Sequence, residues 1–214
     1  DSLRPTPELS FAVRYLNCVA GVNITASHNS KEYNGYKIYN RFGNQIVTNE
    51  ANMIAKHIDL INDELAIDAS HDNNLITILD KSIDEAYYQV IYETMLQKDT
   101  NKQNVTLVYT PQHGAGYVPV METLTHLGYK VIPVKEQAFP SKSFENTKTP
   151  NPENKDAYEL AIKYALKYKA DIICSTDPDS DRLGIVLFDK NNNPVYLTGN
   201  QTASIIIYYL INSK

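Results

Sequence analysis

Apolar residues at helical spacing alternate along this chain with short apolar runs bounded by turns. Leu9, Ala12, Val13 and Leu16 lie on one helical face, with Thr6 as the expected cap and Pro7 as the first helical residue. The run from Cys18 to Ile24 reads as a buried strand and ends in a polar loop, Thr25-Ala26-Ser27-His28-Asn29-Ser30. Asn34-Gly35 is a turn signal, followed by a strand over Tyr36–Tyr39 and a second turn at Gly43-Asn44. Ala51, Ile54, Ala55, Ile58 and Ile61 form a second helical stripe behind a cap at Thr48 or Asn49. Leu75–Leu79 is a short strand candidate. Ser82-Ile83-Asp84-Glu85 has the form of a capping box, with Ile83, Ala86, Tyr87, Val90, Ile91 and Met95 expected inward.

The polar run Gln97–Asn104 marks a boundary, and beyond it the pattern becomes regular. A strand over Val105–Tyr109, a helix ending at Leu127 before Gly128, a strand over Val131–Val134, a helix from Asp156 to Tyr168 and a strand over Asp171–Ser175 follow in order. That β-α-β-α-β series predicts a parallel sheet with right-handed crossovers. Thr198-Gly199-Asn200-Gln201 is another capping box, opening a helix with Ala203, Ile206, Ile207 and Leu210 on one face. The fold class expected is α/β: two α/β domains with mixed or parallel sheets flanked by helices, over residues 1–98 and 99–197. Residues 198–214 are then the first helix of a further domain. The chain opens on Asp1 directly into a helix signal and stops four residues after Leu210, so it reads as a piece of something longer, truncated at both ends.

Composition narrows the class without identifying the chemistry. The 214 residues are 43% hydrophobic and 21% charged, ordinary for a globular protein. A net charge of −5 argues against nucleic acid or an anionic membrane as main partner. Cys18 and Cys174 both lie in apolar stretches, which suggests buried reduced thiols in a cytoplasmic protein rather than a disulfide framework or zinc site.

The chemistry concentrates after Ile172-Ile173-Cys174-Ser175-Thr176, where Asp177, Asp179 and Asp181 alternate with Pro178 and Ser180 before Arg182. On a helix Asp179 would point away from the other two. On a regular strand successive carboxylates would sit about 6.6 Å apart. A tight loop at a strand end lets all three meet, and gathered carboxylates repel unless something cationic joins them. Oxygen donors of this kind suit Mg²⁺, Mn²⁺ or Ca²⁺. An EF-hand is excluded, because Arg182 and Phe188 stand at its required Gly and Glu positions. The alternative is a polar turn whose aspartates cap backbone amides. Ser27 has no hydrolase elbow around it, since Thr25 and Asn29 replace the glycines, and His28 is adjacent in sequence and not expected to face it.

Taken together, Thr25-Ala26-Ser27-His28-Asn29, Asn34-Gly35-Tyr36-Lys37, Thr110-Pro111-Gln112-His113-Gly114 and Asp177-Pro178-Asp179-Ser180-Asp181-Arg182 resemble the phosphoglucomutase/phosphomannomutase family, the α-D-phosphohexomutases. Thr149-Pro150-Asn151-Pro152-Glu153 and Gly199-Asn200-Gln201 are similar to lesser signatures of that family. The resemblance implies that Ser27 carries a transferable phosphoryl group. It further implies that Asp177, Asp179 and Asp181 hold Mg²⁺ with an oxygen of the Ser27 phosphate. Lys37 would act as general acid/base with a depressed pKa, His28 and Arg182 would lie near the transferring phosphate, and His113 at the cleft edge. The implied reaction interconverts hexose 1-phosphate and hexose 6-phosphate, so the partner is a small sugar phosphate. Ser30 departs from the family's usual proline. Two other readings of the same residues are an aspartyl-phosphate phosphatase with Asp177 as nucleophile, and a metal-binding module without turnover.

The resemblance places a sugar-selecting loop and a distal phosphate clamp beyond Lys214, so the 214-residue chain alone is expected to show no mutase activity. Misplacing a substrate by about 1 Å can lower a rate roughly 100-fold. Sustained conversion of glucose 1-phosphate to glucose 6-phosphate by the pure chain would overturn this.

Overall fold

The computed structural model describes residues 2–66, 73–97 and 100–213. Two sheets organise it. The smaller pairs β1 (Ala20–Ile24) and β2 (Tyr36–Asn40) antiparallel, with Asn23 opposite Lys37. Helix α1 (Thr6–Tyr15) lies against this ribbon, burying Phe11 and Val13. Helix α2 (Thr48–Ile58) follows, and α3 (Lys81–Glu93) packs on α1.

The larger sheet has five strands: β3 (Thr106–Thr110), β4 (Lys130–Pro133), β5 (Ile172–Thr176), β6 (Leu183–Phe188) and β7 (Pro194–Leu197). Their order is β4-β3-β5-β6-β7; the first three are mutually parallel and the last two antiparallel. The expected parallel β-α-β-α-β unit is present, with α4 (Tyr117–His126) and α5 (Glu159–Tyr168) as crossovers. Val108, Ile173 and Val186 are fully buried on three adjacent strands against Ala161 and Ala165 of α5. Small residues on that helix face let α5 approach the sheet closely. From β3 the chain steps outward to β4, then returns to β5 on the other side of β3. The carboxyl ends of β3 and β5 therefore flank the point where strand order reverses, where sheets of this kind bind ligands.

Several expectations change. The run Cys18–Ile24 is not a buried strand: β1 starts at Ala20, and Val22 is 56% exposed, because only its Gly21 face lies under α1. Leu75–Leu79 forms no strand: Leu75 ends a short 3-10 turn and is 84% exposed, and no described strand pairs with the residues after it. The α2 stripe includes no fully buried residue. Pro5, not Thr6, precedes α1, and Asp80, not Ser82, caps α3 by accepting from the Ser82 amide. Val47 holds the corresponding position before α2. Thr198 does cap α6 (Gly199–Asn212), and its own amide donates to Gln201 Oε1, yet Ile206, Ile207 and Leu210 are exposed. Both cysteines are free and partly buried.

Where α1 meets α3, the Arg4 guanidinium donates twice to the Asp84 carboxylate at 2.7 Å and stands 3.7 Å from Glu8. Glu8 is 2% exposed, and its Oε2 has no partner. Burial, then the neighbouring Asp84, pushes the Glu8 carboxyl from 4.5 up to about 8. The neutral acid is thus the form the fold favours, so its stabilisation is complete below the unfolded value and lost as pH rises through about 8. Wild-type urea midpoints should fall between pH 6 and pH 9, and Glu8→Gln should flatten that dependence. Parallel curves for the two proteins would refute the assignment.

Candidate active site

The three aspartates occupy the hairpin that joins β5 to β6, where Thr176 pairs with Leu183. Ser180 takes a left-handed φ of 58°, and its amide returns to the Asp177 carbonyl, which closes the loop tightly enough for the carboxylates to meet. One oxygen from each of Asp177, Asp179 and Asp181 can be chosen so that all lie within 4.8 Å of one another. Asp177 is fully buried; its Oδ1 accepts from the Arg182 amide at 3.1 Å. Burial, followed by the charge of Asp179, raises the Asp177 carboxyl to about 7.

The loop after β3 braces this hairpin. The Ala115 amide donates to the Pro178 carbonyl at 2.7 Å. A Cβ at Gly114 would lie 2.4 Å from Pro178 Cα and 2.5 Å from its carbonyl oxygen, so no other residue fits there without moving backbone. Behind it, Gln112 is fully buried, donating to the Ala157 carbonyl and Ser175 Oγ and accepting from Thr147. Gln137 accepts from Thr110 and donates to the Asn146 carbonyl, tying the segment after β4 to the same strand ends.

The other half of the site comes from the small sheet. Ser27 follows β1 in a loop closed by the Thr25 amide on the Gly35 carbonyl. Its φ is 52°, and this left-handed turn brings His28 Nδ1 to 3.2 Å from Ser27 Oγ, contrary to the expectation that adjacent residues would not face each other. Ser27 Oγ donates to Asp177 Oδ2 at 3.1 Å, a contact between residues 150 positions apart. From β2, Lys37 Nζ donates to Asp179 Oδ2 at 2.7 Å and Asp181 Oδ2 at 2.6 Å. Desolvation pulls the Lys37 ammonium down, but the hydrogen bonds and charges of the two aspartates outweigh it and hold its pKa above the usual value. The depressed value expected for Lys37 is therefore not found in this arrangement. Asp179 shows the converse: burial pushes it up, and Lys37 carries it below its ordinary value.

The side chains of His113 and Arg182 contact residues outside the aspartate hairpin. Both ring nitrogens of His113 meet backbone carbonyls, those of Phe139 and Glu145, so the ring pins the 139–145 segment. It borders a cavity of about 350 Å³ that Asn23, Thr25, Lys142 and Asp179 also line. Arg182 serves Asp177 through its amide, while its guanidinium stands 3.8 Å from Glu153. Sequence reasoning missed Thr6 and Asn23. Thr6, read as a helix cap, donates its hydroxyl to Asp179 Oδ2 at 3.1 Å and its amide to the Asp179 carbonyl at 2.8 Å. Asn23 in turn donates to the Thr6 hydroxyl at 2.6 Å.

The donor set fits a hard divalent cation. It is all carboxylate oxygen, and although Lys37 and Thr6 hold Asp179 Oδ2, its Oδ1 is buried with no hydrogen-bond partner and so is left open to a ligand. The geometry speaks against Asp177 as a nucleophile, because it is fully buried and both oxygens accept hydrogen bonds.

The Ser27 hydroxyl, the Lys37 ammonium and the carboxylate hairpin thus gather where the ribbon meets the large sheet. The family model for phosphoglucomutase/phosphomannomutase α/β/α domain I matches residues 1–64, and that for domain II matches residues 85–190. A Staphylococcus aureus (strain MRSA252) phosphoglucomutase is 37% identical over 215 residues, which span 99% of this chain and 39% of that protein. A Mycoplasmoides pirum phosphomannomutase is 36% identical over 207 residues, 96% of this chain and 38% of that one. Among solved structures, a Thermus thermophilus protein assigned as a phosphomannomutase superposes with a TM-score of 0.76 at 25% identity, covering 99% of this chain and 45% of that one. The chain belongs to the phosphoglucomutase/phosphomannomutase family. It spans about 39% of the length of the curated relatives it matches.

Gly114→Ala should destabilise the protein by about 1–3 kcal/mol, because the added methyl meets backbone rather than a movable side chain. Urea unfolding measures this, and an unchanged midpoint would mean that the two loops do not touch as described.

Proposed function

We propose that this chain carries the phosphoryl-accepting and metal-binding loops of an enzyme that interconverts hexose 1-phosphate and hexose 6-phosphate. In this reading residues 1–98 and 99–197 are the two domains that meet at the site, and 198–214 open a third. The observation that carries the proposal is the hydrogen bond from Ser27 to Asp177, which joins the two motif loops at one point.

Phosphorylated Ser27 would give its phosphoryl group to the 6-hydroxyl of a hexose 1-phosphate, forming a hexose 1,6-bisphosphate and leaving the serine hydroxyl free. The bisphosphate then returns its 1-phosphate to Ser27 and departs as hexose 6-phosphate. Such transfers ask the protein for positioning and charge neutralisation more than for covalent work. Asp177 orients the Ser27 hydroxyl, and His28 approaches the same oxygen. Lys37 would be the proton carrier: it gives a proton to the serine oxygen as that oxygen leaves phosphorus, and the proton lost by the attacking hexose hydroxyl restores it, so the step leaves the lysine unchanged. Arg182 and His113 shape the surroundings, the former at the loop's end and the latter by fixing the 139–145 segment. Asp177, Asp179 and Asp181, together with an oxygen of the Ser27 phosphate, would hold Mg²⁺, which supplies charge stabilisation at the transferring oxygens. A phosphate adds about −1.5 to −2 charges beside three carboxylates, so without a counter-charge the loaded serine is disfavoured.

The partner is a small sugar phosphate, and the net charge of −5 argues against nucleic acid or an anionic membrane in that role. Among the described residues no helix is long and apolar enough to cross a membrane. Incubation with glucose 1,6-bisphosphate, followed by peptide mapping, should find acid-stable phosphate on Ser27 and none in Ser27→Ala. Hydroxylamine-labile phosphate on Asp177 would instead favour the aspartyl-phosphatase chemistry.

A further inference from the structure

We infer that Asn23 and Thr6 form a positioning relay that sets the plane of the Asp179 carboxylate, so that its unpartnered oxygen is presented to a divalent cation. The inference rests on the reading of the aspartate hairpin as a cation site, and it concerns two residues outside that hairpin.

The two oxygens of Asp179 have unequal surroundings. Oδ2 accepts from Lys37 Nζ and from the Thr6 hydroxyl, whereas Oδ1 is buried and bare. A buried carboxylate oxygen without a partner is costly, so this arrangement is imposed by the donors on the other oxygen. Turning the carboxylate about its Cβ–Cγ bond by a quarter would break both of those bonds.

The relay also has a direction. A hydroxyl has one proton to give. Asn23 Nδ2 reaches Thr6 Oγ1 at 2.6 Å, which leaves the Thr6 proton free for Asp179. With the amide reversed, the Asn23 carbonyl oxygen would claim that proton, and a hydroxyl lone pair would face a carboxylate at 3.1 Å. The amide orientation and the carboxylate plane therefore determine each other.

Thr6 is built for rigidity. It is 3% exposed, sits between Pro5 and Pro7, and has a β-branched side chain with few rotamers. Its amide, the first of α1 and without a helical acceptor of its own, donates to the carbonyl of the same Asp179. One residue thus grips both the backbone and the side chain of its target. Lys37 differs in kind, since its ammonium is charged and is shared with Asp181. A divalent cation entering among the aspartates repels that ammonium, while a neutral hydroxyl stays in place. Thr6 is the donor that holds Asp179 regardless of how charge is distributed around it.

Calorimetric Mg²⁺ titrations of the 214-residue chain test the relay with wild type, Thr6→Val, Thr6→Ser and Asp179→Asn. Loss of an outer partner of a metal ligand typically weakens affinity about 10–100-fold, and that loss is expected for Thr6→Val. Thr6→Ser, which keeps the hydroxyl, should bind like wild type, and urea midpoints report whether each variant remains folded. Asn23→Ala should fall between wild type and Thr6→Val. Equal affinity in Thr6→Val and wild type, or equal loss in Thr6→Ser and Thr6→Val, overturns the relay while leaving the cation site intact, provided Asp179→Asn has lost binding. If Asp179→Asn matches wild type, the hairpin is not a cation site, and both the relay and the reading it rests on fall.

Discussion

Three carboxylates on a six-residue hairpin repel one another, and the neighbouring structure offsets that repulsion. The hairpin alone supplies only the Arg182 amide. Every other donor comes from elsewhere: the Ser27 hydroxyl to Asp177, the Thr6 hydroxyl to Asp179, and the Lys37 ammonium to Asp179 and Asp181. All three of these residues belong to the helix and ribbon that precede the large sheet. Electrostatics therefore does more than furnish a site, because it is a principal bond between the two halves. Their apolar contact is made largely by α3, which packs on α1 on one side and on α4 on the other. The matched region of the domain II model begins at residue 85, within that helix.

The large sheet supplies rigidity where chemistry requires it. Its reversal point places the loops after β3 and β5 side by side, and Gly114 permits backbone-to-backbone contact between them. Buried amides at Gln112 and Gln137 fasten the next segment to the same strand ends. The small sheet is different in character. It is a ribbon of two strands with one face largely exposed, and it depends on α1 and on the aspartates for its position.

Legibility in the sequence follows the range of the forces involved. The strands β3, β4 and β5 were readable because their apolar runs are buried against helices with a matching stripe, and Thr198 was readable because its capping partner is three residues away. The aspartate hairpin was readable because the alternation of charge with Pro178 and Ser180 excludes regular structure. Leu75–Leu79 misled, since an apolar run forms a strand only where another edge is available to pair with it. Thr6 misled for the opposite reason. A threonine before a proline has a sufficient local explanation, and its real partner is 173 residues further along the chain. Ser27 and His28 could face each other only through a left-handed residue, which the serine itself does not announce.

The separation of these partners along the chain also bears on how the molecule acquires its shape. The contacts of Lys37 with Asp179, Ser27 with Asp177 and Thr6 with Asp179 close loops of 142, 150 and 173 residues. Closing such long loops gives up conformational entropy before any contact repays it, whereas the β1–β2 ribbon and the β5–β6 hairpin need only short ones. Each half can gain its own order first, and the cluster between them assembles when the two finished pieces meet. The cluster between the halves is then the last feature to appear during folding and the first to dissolve when they part, so the separation of Ser27 from Asp177 should precede loss of secondary structure as the protein is destabilised.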